Sequence, residues 1–152
     1  IVGLGKAATL MREGLERDGH AGMRELRNHF EQRLAAEIEG VRFNGSREHR
    51  AGNIVHVSFE GCEAAGLLIL LDEAGVQCSA GSACMTGKQQ PSHVQKAMGI
   101  SDEQARSSLR ISLSIFTTRD EVDAAVEALK AAVAKLRSVQ GGGVGPVVIY
   151  GS

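Results

Sequence analysis

The sequence predicts a two-layer α/β sandwich, in which a small mixed or antiparallel sheet is covered on one face by helices. Two patterns carry that expectation. Apolar residues recur at three- and four-residue spacing in several long stretches, as they do along amphipathic helices. Between these lie short runs rich in β-branched residues, some alternating as half-buried strands do. The segments follow in the order α-α-β-β-α-β-loop-α-β-α, with no internal repeat.

The first helix is predicted over residues 2–18, with Val2, Leu4, Ala7, Leu10, Met11 and Leu15 on its stripe and its end near Gly19. A second runs over about 23–39, with Met23, Leu26, Phe30, Leu34 and Ile38 on one side and Gly40 as its stop. Residues 41–43 form a short strand, Asn44-Gly45-Ser46 its turn, and the charged run 47–50 a solvated loop. The β-branched run 53–59 is the next strand. Residues 64–73 are apolar nearly all round, which predicts a deeply packed helix ended by Gly75, and 76–78 a short strand. The stretch 77–87 holds glycines and small residues but nothing bulky before Met85, so it reads as a mobile loop.

Pro91 and Ser92 open a short helix that stops at Gly99, and Ser101 with Gln104 matches a capping box over one further turn. In 109–113 the alternation is clean: Leu109, Ile111 and Leu113 point inward, Arg110 and Ser112 to the other face. Thr118 and Glu121 form another capping box. They open a helix that buries Val122, Val126, Leu129, Val133 and Leu136. The triple glycine 141–143 is a hinge, and residues 144–150 add an edge strand or trail free.

At 152 residues the chain is one domain with an ordinary core. A formal net charge of −1 recruits neither nucleic acid nor an anionic membrane. The absence of Trp, with one Tyr and four Phe, argues further against a base-stacking surface. Three cysteines without a framework spacing point to free thiols in a reducing, cytoplasmic setting. No signal peptide is visible, and no apolar run approaches the ~20 residues of a membrane span. The chain begins with Ile, as a processed product or a fragment of something longer would.

Cys84 is the first candidate for chemistry. A thiol on a glycine-rich loop can travel between two places, and backbone N–H groups near a helix start favour its thiolate. The alternative is a small loop residue of no consequence. Cys62, at a turn before an apolar helix, and Cys78, in a strand-like run, read as structural. The gap between Cys78 and Cys84 is not a usual zinc-ligand spacing, so no metal site is expected. Arg110, on a rigid strand, suits bidentate capture of a carboxylate or is simply a solvated arginine. Asn53 is either a strand-entry turn or a polar substrate contact. His56 and His93 read as satisfied or surface histidines.

Ser79-Ala80-Gly81-Ser82-Ala83-Cys84, Pro91-Ser92-His93-Val94, Ala97-Met98-Gly99, Leu109-Arg110-Ile111-Ser112-Leu113-Ser114 and Thr117-Thr118 together resemble the C-terminal part of cysteine desulfurases of the NifS/IscS-like group. Asn53-Ile54, Val57-Ser58-Phe59 and Leu71-Asp72-Glu73-Ala74-Gly75-Val76 add to it. The similarity reaches about Leu136. It implies the small C-terminal domain of a pyridoxal-phosphate enzyme of aminotransferase fold type I, converting L-cysteine to L-alanine and passing the sulfur on as a persulfide. The resemblance makes Cys84 the persulfide-forming cysteine and Arg110 the carboxylate-binding arginine; Asn53 stays beside Arg110 as a candidate substrate contact.

It further implies a sulfur-acceptor partner such as an iron–sulfur scaffold, and a homodimer of the full-length protein. The division expected is a linker helix over 1–19, the small domain over 20–138 and a flexible tail over 139–152. The large cofactor-binding domain is expected to lie outside the chain, since none of Lys6, Lys88, Lys96, Lys130 and Lys135 sits in a matching motif. The isolated chain is then inactive, with its first helix missing the surface it packs on. Three departures stand out: Ala65 and Gly66 replace polar or larger residues, and Ile115 stands where arginine is common. A free-standing persulfide carrier and a selenocysteine lyase-like sibling are the alternatives.

Overall fold

The computed structural model describes residues 1–18, 20–80 and 92–141. Cys84, at the centre of the sequence reading, lies outside them, as do residues 142–152. Two helices come first, α1 (Val2–Asp18) and α2 (Ala21–Glu37), followed by strands β1 (Val41–Phe43) and β2 (Ile54–Phe59) and helix α3 (Ala64–Glu73). Then come α4 (His93–Ala97), α5 (Asp102–Arg106), β3 (Ser108–Ser112) and α6 (Arg119–Gly141). The strands form one antiparallel sheet in the order β1-β2-β3, as the two-layer expectation requires.

Strand alternation decides which face meets the helices. Val55, Val57 and Phe59 of β2 and Leu109 and Ile111 of β3 are buried in a single core. Onto them pack Phe30 and Leu34 of α2, Leu67 and Leu71 of α3, and Val122, Val126, Leu129 and Val133 of α6. These are the stripes read from the sequence for α2 and α6. Thr118 and Glu121 cap α6 reciprocally: the Thr118 N–H donates to the Glu121 carboxylate at 2.8 Å and the Glu121 N–H to Thr118 Oγ1 at 3.3 Å. Gly40, at φ +70°, turns the chain from α2 into β1 where a Cβ would lie 3.0 Å from Glu60 Cβ.

Several expectations need correction. Helix α3 is not packed all round: Ala64, Leu67 and Leu71 are buried, but Ile69 is 62% exposed. Its apolar composition exceeds the one face that α6 and the sheet can cover. Residues 76–78 form no strand; what joins this segment to the sheet is an isolated antiparallel bridge between Ser79 and Arg110. The 47–50 run is not simply solvated. Arg50 binds the buried Glu31 carboxylate through both Nη atoms, the Nη2 contact at 2.8 Å, and Arg47 sits 5.0 Å from the Phe43 ring centroid. The capping box at Ser101 is half made, because the Gln104 side chain donates to Asn44 Oδ1 at 2.7 Å. Of the departures, Gly66 faces α6, where a Cβ would lie 2.9 Å from Leu136 Cδ2, while Ala65 and Ile115 are exposed.

Helix α1 keeps Val2, Leu4, Leu10, Met11 and Leu15 exposed. None of the helices with described residues is long and apolar enough to cross a membrane.

Candidate functional site

The face of the sheet opposite the main core is polar, and alternation dictates which residues it shows. Burial of Leu109 and Ile111 leaves Ser108, Arg110 and Ser112 on it; burial of Val55, Val57 and Phe59 leaves His56 and Ser58. Register pairs Ser58 with Ser108 and His56 with Arg110.

The backbone fixes how close His56 and Arg110 are. The Arg110 N–H donates to the Ser79 carbonyl at 2.7 Å and its carbonyl accepts from the Ser79 N–H at 3.1 Å. Both polar groups of Arg110 therefore point away from β2. On the other side the His56 carbonyl accepts from the Asn44 N–H at 2.8 Å, pointing away from β3. His56 and Arg110 thus form a non-hydrogen-bonded antiparallel pair, the kind that brings Cα atoms to about 4.5 Å and side chains closest.

Helix α4 closes over the His56 side of this pair. Gln95 is only 4% exposed, and every polar atom of its amide is used. Its Oε1 accepts from the Ser92 N–H at 3.3 Å, completing the capping box of α4. Its Nε2 donates to Ser108 Oγ at 2.5 Å and to His56 Nε2 at 3.0 Å. Ser108 Oγ in turn donates to the Ala105 carbonyl at 2.8 Å. With Oε1 committed to Ser92, the amide orientation is fixed, and His56 Nε2 must accept. The proton of a neutral His56 then sits on Nδ1. Burial, and after it the charge of Arg110, pushes the His56 pKa down, which agrees with a neutral ring.

Segment 81–91 leaves and returns at this place. On one side Ser79 is bridged to Arg110. On the other Ser92 caps the helix whose Gln95 holds His56. The described ends on both sides are fastened to the same cross-strand pair.

Asn53, at the entry to β2, donates through Nδ2 to the Leu113 carbonyl at 3.1 Å, and its own carbonyl accepts from the Leu113 N–H at 2.8 Å. It ties the end of β3 to the start of β2. Cys62 is 5% exposed, and burial pushes its thiol pKa up against the smaller opposing effect of Arg137. Cys78 is half-buried and burial raises it too. Both are therefore poor thiolates, in keeping with structural roles. His93 is exposed at the start of α4. Further along the same face a concavity of about 390 Å³ is lined by Arg42, Ser58, Cys62, Gln104, Arg106 and Ser107, among others.

Among the described residues no three His, Cys, Asp or Glu side chains come together as a metal site. The described lysines do not fit the aldehyde of pyridoxal phosphate, which needs a desolvated amine of lowered pKa. Lys96 is exposed and lies 3.5 Å from Asp102. Lys130 is paired with Glu37 and Glu127, whose carboxylates push its pKa up. Lys6 and Lys135 are exposed, and Lys88 lies outside the described residues. Sequence reasoning passed over Gln95 altogether. The signal was its place after Ser92 in an S-x-x-Q box, although nothing in that pattern shows that the amide also reaches His56.

The fold and this site define a class of protein. Residues 1–125 match the model of the Aminotransferase class-V family, and the chain belongs to that family. Its members depend in general on pyridoxal phosphate. Among curated relatives it is 46% identical over 138 residues to the "IscS-like cysteine desulfurase" of Mycobacterium tuberculosis, covering 90% of this chain and 35% of the relative. It is 42% identical over 139 residues to "Cysteine desulfurase IscS" of Neisseria meningitidis, covering 91% and 33%. The chain thus spans about a third of the length of these relatives. Among solved structures it is similar to a NifS-like protein from Rickettsia africae, with a TM-score of 0.71 at 25% identity, covering 84% of this chain and 32% of that one.

Proposed function

We infer that the chain is the small C-terminal domain of a cysteine desulfurase, with the boundaries read from the sequence. In this reading Arg110 holds the carboxylate of L-cysteine and Cys84 takes its sulfur. The thiol of Cys84 and L-cysteine become a persulfide and L-alanine, a transfer that balances without an external oxidant. The observation that carries the reading is the fastening of both ends of segment 81–91 to the His56–Arg110 pair. The described residues on either side of Cys84 thus lie at the strand pair whose cation would hold the substrate. Asn53 completes the carboxylate end: its Nδ2 gives one proton to the Leu113 carbonyl and keeps a second to donate to a substrate carboxylate oxygen.

The cofactor is bound by the rest of a longer protein, on which the exposed stripe of α1 packs. That protein works as a cytoplasmic homodimer and passes sulfur to an acceptor such as an iron–sulfur scaffold. The isolated chain is inactive. A cofactor absorbance from it, with a lysine trapped by borohydride, would overturn that part of the reading.

Persulfide mapping on the full-length protein tests the rest. After loading with pyridoxal phosphate and addition of L-cysteine, peptide mass spectrometry is expected to find one added sulfur on Cys84. Cys84→Ala is expected to remove it while cofactor binding persists. Sulfur on Cys62 or Cys78, or none at all, refutes the assignment and favours a persulfide carrier or docking module. Parallel assays with L-selenocysteine separate a desulfurase from a selenocysteine lyase-like sibling.

A further inference from the structure

We propose that His56 is a positioning residue for Arg110: braced by Gln95, its neutral ring forms a fixed wall that holds the guanidinium where it grips a substrate carboxylate. The proposal rests on the reading of Arg110 given above and adds the device that aims it.

Long exposed arginines are mobile and lose side-chain entropy when they bind. Arg110 is exposed on its strand, and among the described residues no hydrogen bond from its guanidinium aims it. What it has is a neighbour on the close kind of antiparallel pair, where side chains lie nearest. A planar guanidinium packs well against a flat ring, provided the ring stays put and stays uncharged. Gln95 supplies both conditions. Its amide is itself locked by Ser92 and Ser108, so the ring that it holds cannot swing freely. By donating to Nε2 it favours the neutral form, because a protonated imidazole would present a donor to that same amide. Burial and the nearby guanidinium push in the same direction.

The test compares L-cysteine with L-cysteinamide, which keeps the thiol and the amine and lacks the carboxylate. In the cofactor-loaded full-length protein, the ratio of kcat/KM for acid over amide reports the hold on the carboxylate. Arg110→Lys is expected to collapse that ratio. His56→Leu is expected to lower it about 10-fold, mainly through KM for the acid, with kcat changed less than about 2-fold. His56→Asn, which keeps a neutral acceptor for Gln95, is expected to restore most of it. A merely structural role would lower acid and amide alike and leave the ratio unmoved, which overturns the proposal. If His56→Leu fails to fold, Gln95→Met is the substitute, and an unchanged ratio there overturns it equally. An unchanged ratio in Arg110→Lys instead refutes the assignment of Arg110, so the two failures are distinguishable.

Discussion

The two faces of the β1–β2–β3 sheet meet the rest of the molecule on different terms. The helical face shows Val55, Val57, Phe59, Leu109 and Ile111 to apolar stripes of α2, α3 and α6. It gains stability in proportion to the apolar area removed from water. The opposite face shows His56, Ser58, Ser108 and Arg110, and its buried part is held by directed hydrogen bonds through Gln95 and Asn44. Apolar contact is tolerant of exact placement, whereas a hydrogen-bonded network fixes orientation. The second face is therefore the one on which a charged side chain can be aimed.

The largest effects should separate the faces cleanly. Phe30→Ala removes a ring that is 1% exposed between α2 and the sheet, and should cost about 3–5 kcal/mol in urea unfolding. Arg110→Ala, on an exposed strand position, should change stability by less than about 0.5 kcal/mol. Comparable losses in the two variants would break the distinction. Next comes a place where the helical layer is itself polar inside. Glu31 is buried on α2 against Arg50, so Glu31→Gln strands a largely buried guanidinium and should cost about 3 kcal/mol. Replacing both partners with leucine should recover most of that loss, since no charge is then left unpaired.

The helical face was legible in the sequence because area scales with composition and spacing. The stripes of α2 and α6 and the alternation of β3 could be read residue by residue. Where apolar composition exceeded the surface available, as at Ile69, the reading overshot. The polar face was legible only by halves. Alternation placed Arg110 on it, but nothing local to Gln95 or His56 shows that an amide from α4 will reach a strand residue 39 positions away. The Ser79 bridge escaped for a related reason: a single pair of backbone bonds leaves no periodicity to detect. Residue types fix what a polar group can bond to, and only the assembled fold decides which partner arrives. The pairing of Arg50 with Glu31 was hidden in the same way inside a charge run that composition alone makes look solvated.

A smaller effect probes the network directly. Ser108→Ala deletes the hydroxyl that joins Gln95 to the Ala105 carbonyl and leaves one amide proton of a buried glutamine unsatisfied. The expected cost is about 1–3 kcal/mol, with the cores of both layers unchanged. Replacing Ser112, exposed on the same strand, should cost less than about 0.5 kcal/mol. Equal losses at Ser108 and Ser112 would mean that the network contributes little.

Acid titration should distinguish the faces by where each responds. Burial, then Arg110, lowers the His56 pKa from its usual 6.5, so the unfolded chain takes up that proton first. Stability on this account is complete above about pH 6.5 and declines as the pH falls toward the folded value. The helical face carries a surface seam of opposite behaviour in chemistry but the same sign. Hydrogen bonds from Arg33 and then Lys130 bring Glu37 from 4.5 to about 2; His29 and Arg33 lower Asp123, and Arg33 and Lys130 lower Glu127. These carboxylates contribute above their unfolded values, and the contribution is lost as the pH falls from about 5 toward 2. The seam is open to solvent, so added salt should flatten this lower window and leave the upper one in place. His56→Asn should remove the upper window alone. Measured by urea midpoints from pH 8 to pH 3, a single acid window, abolished by salt, would show that His56 is not buried as the paired face requires.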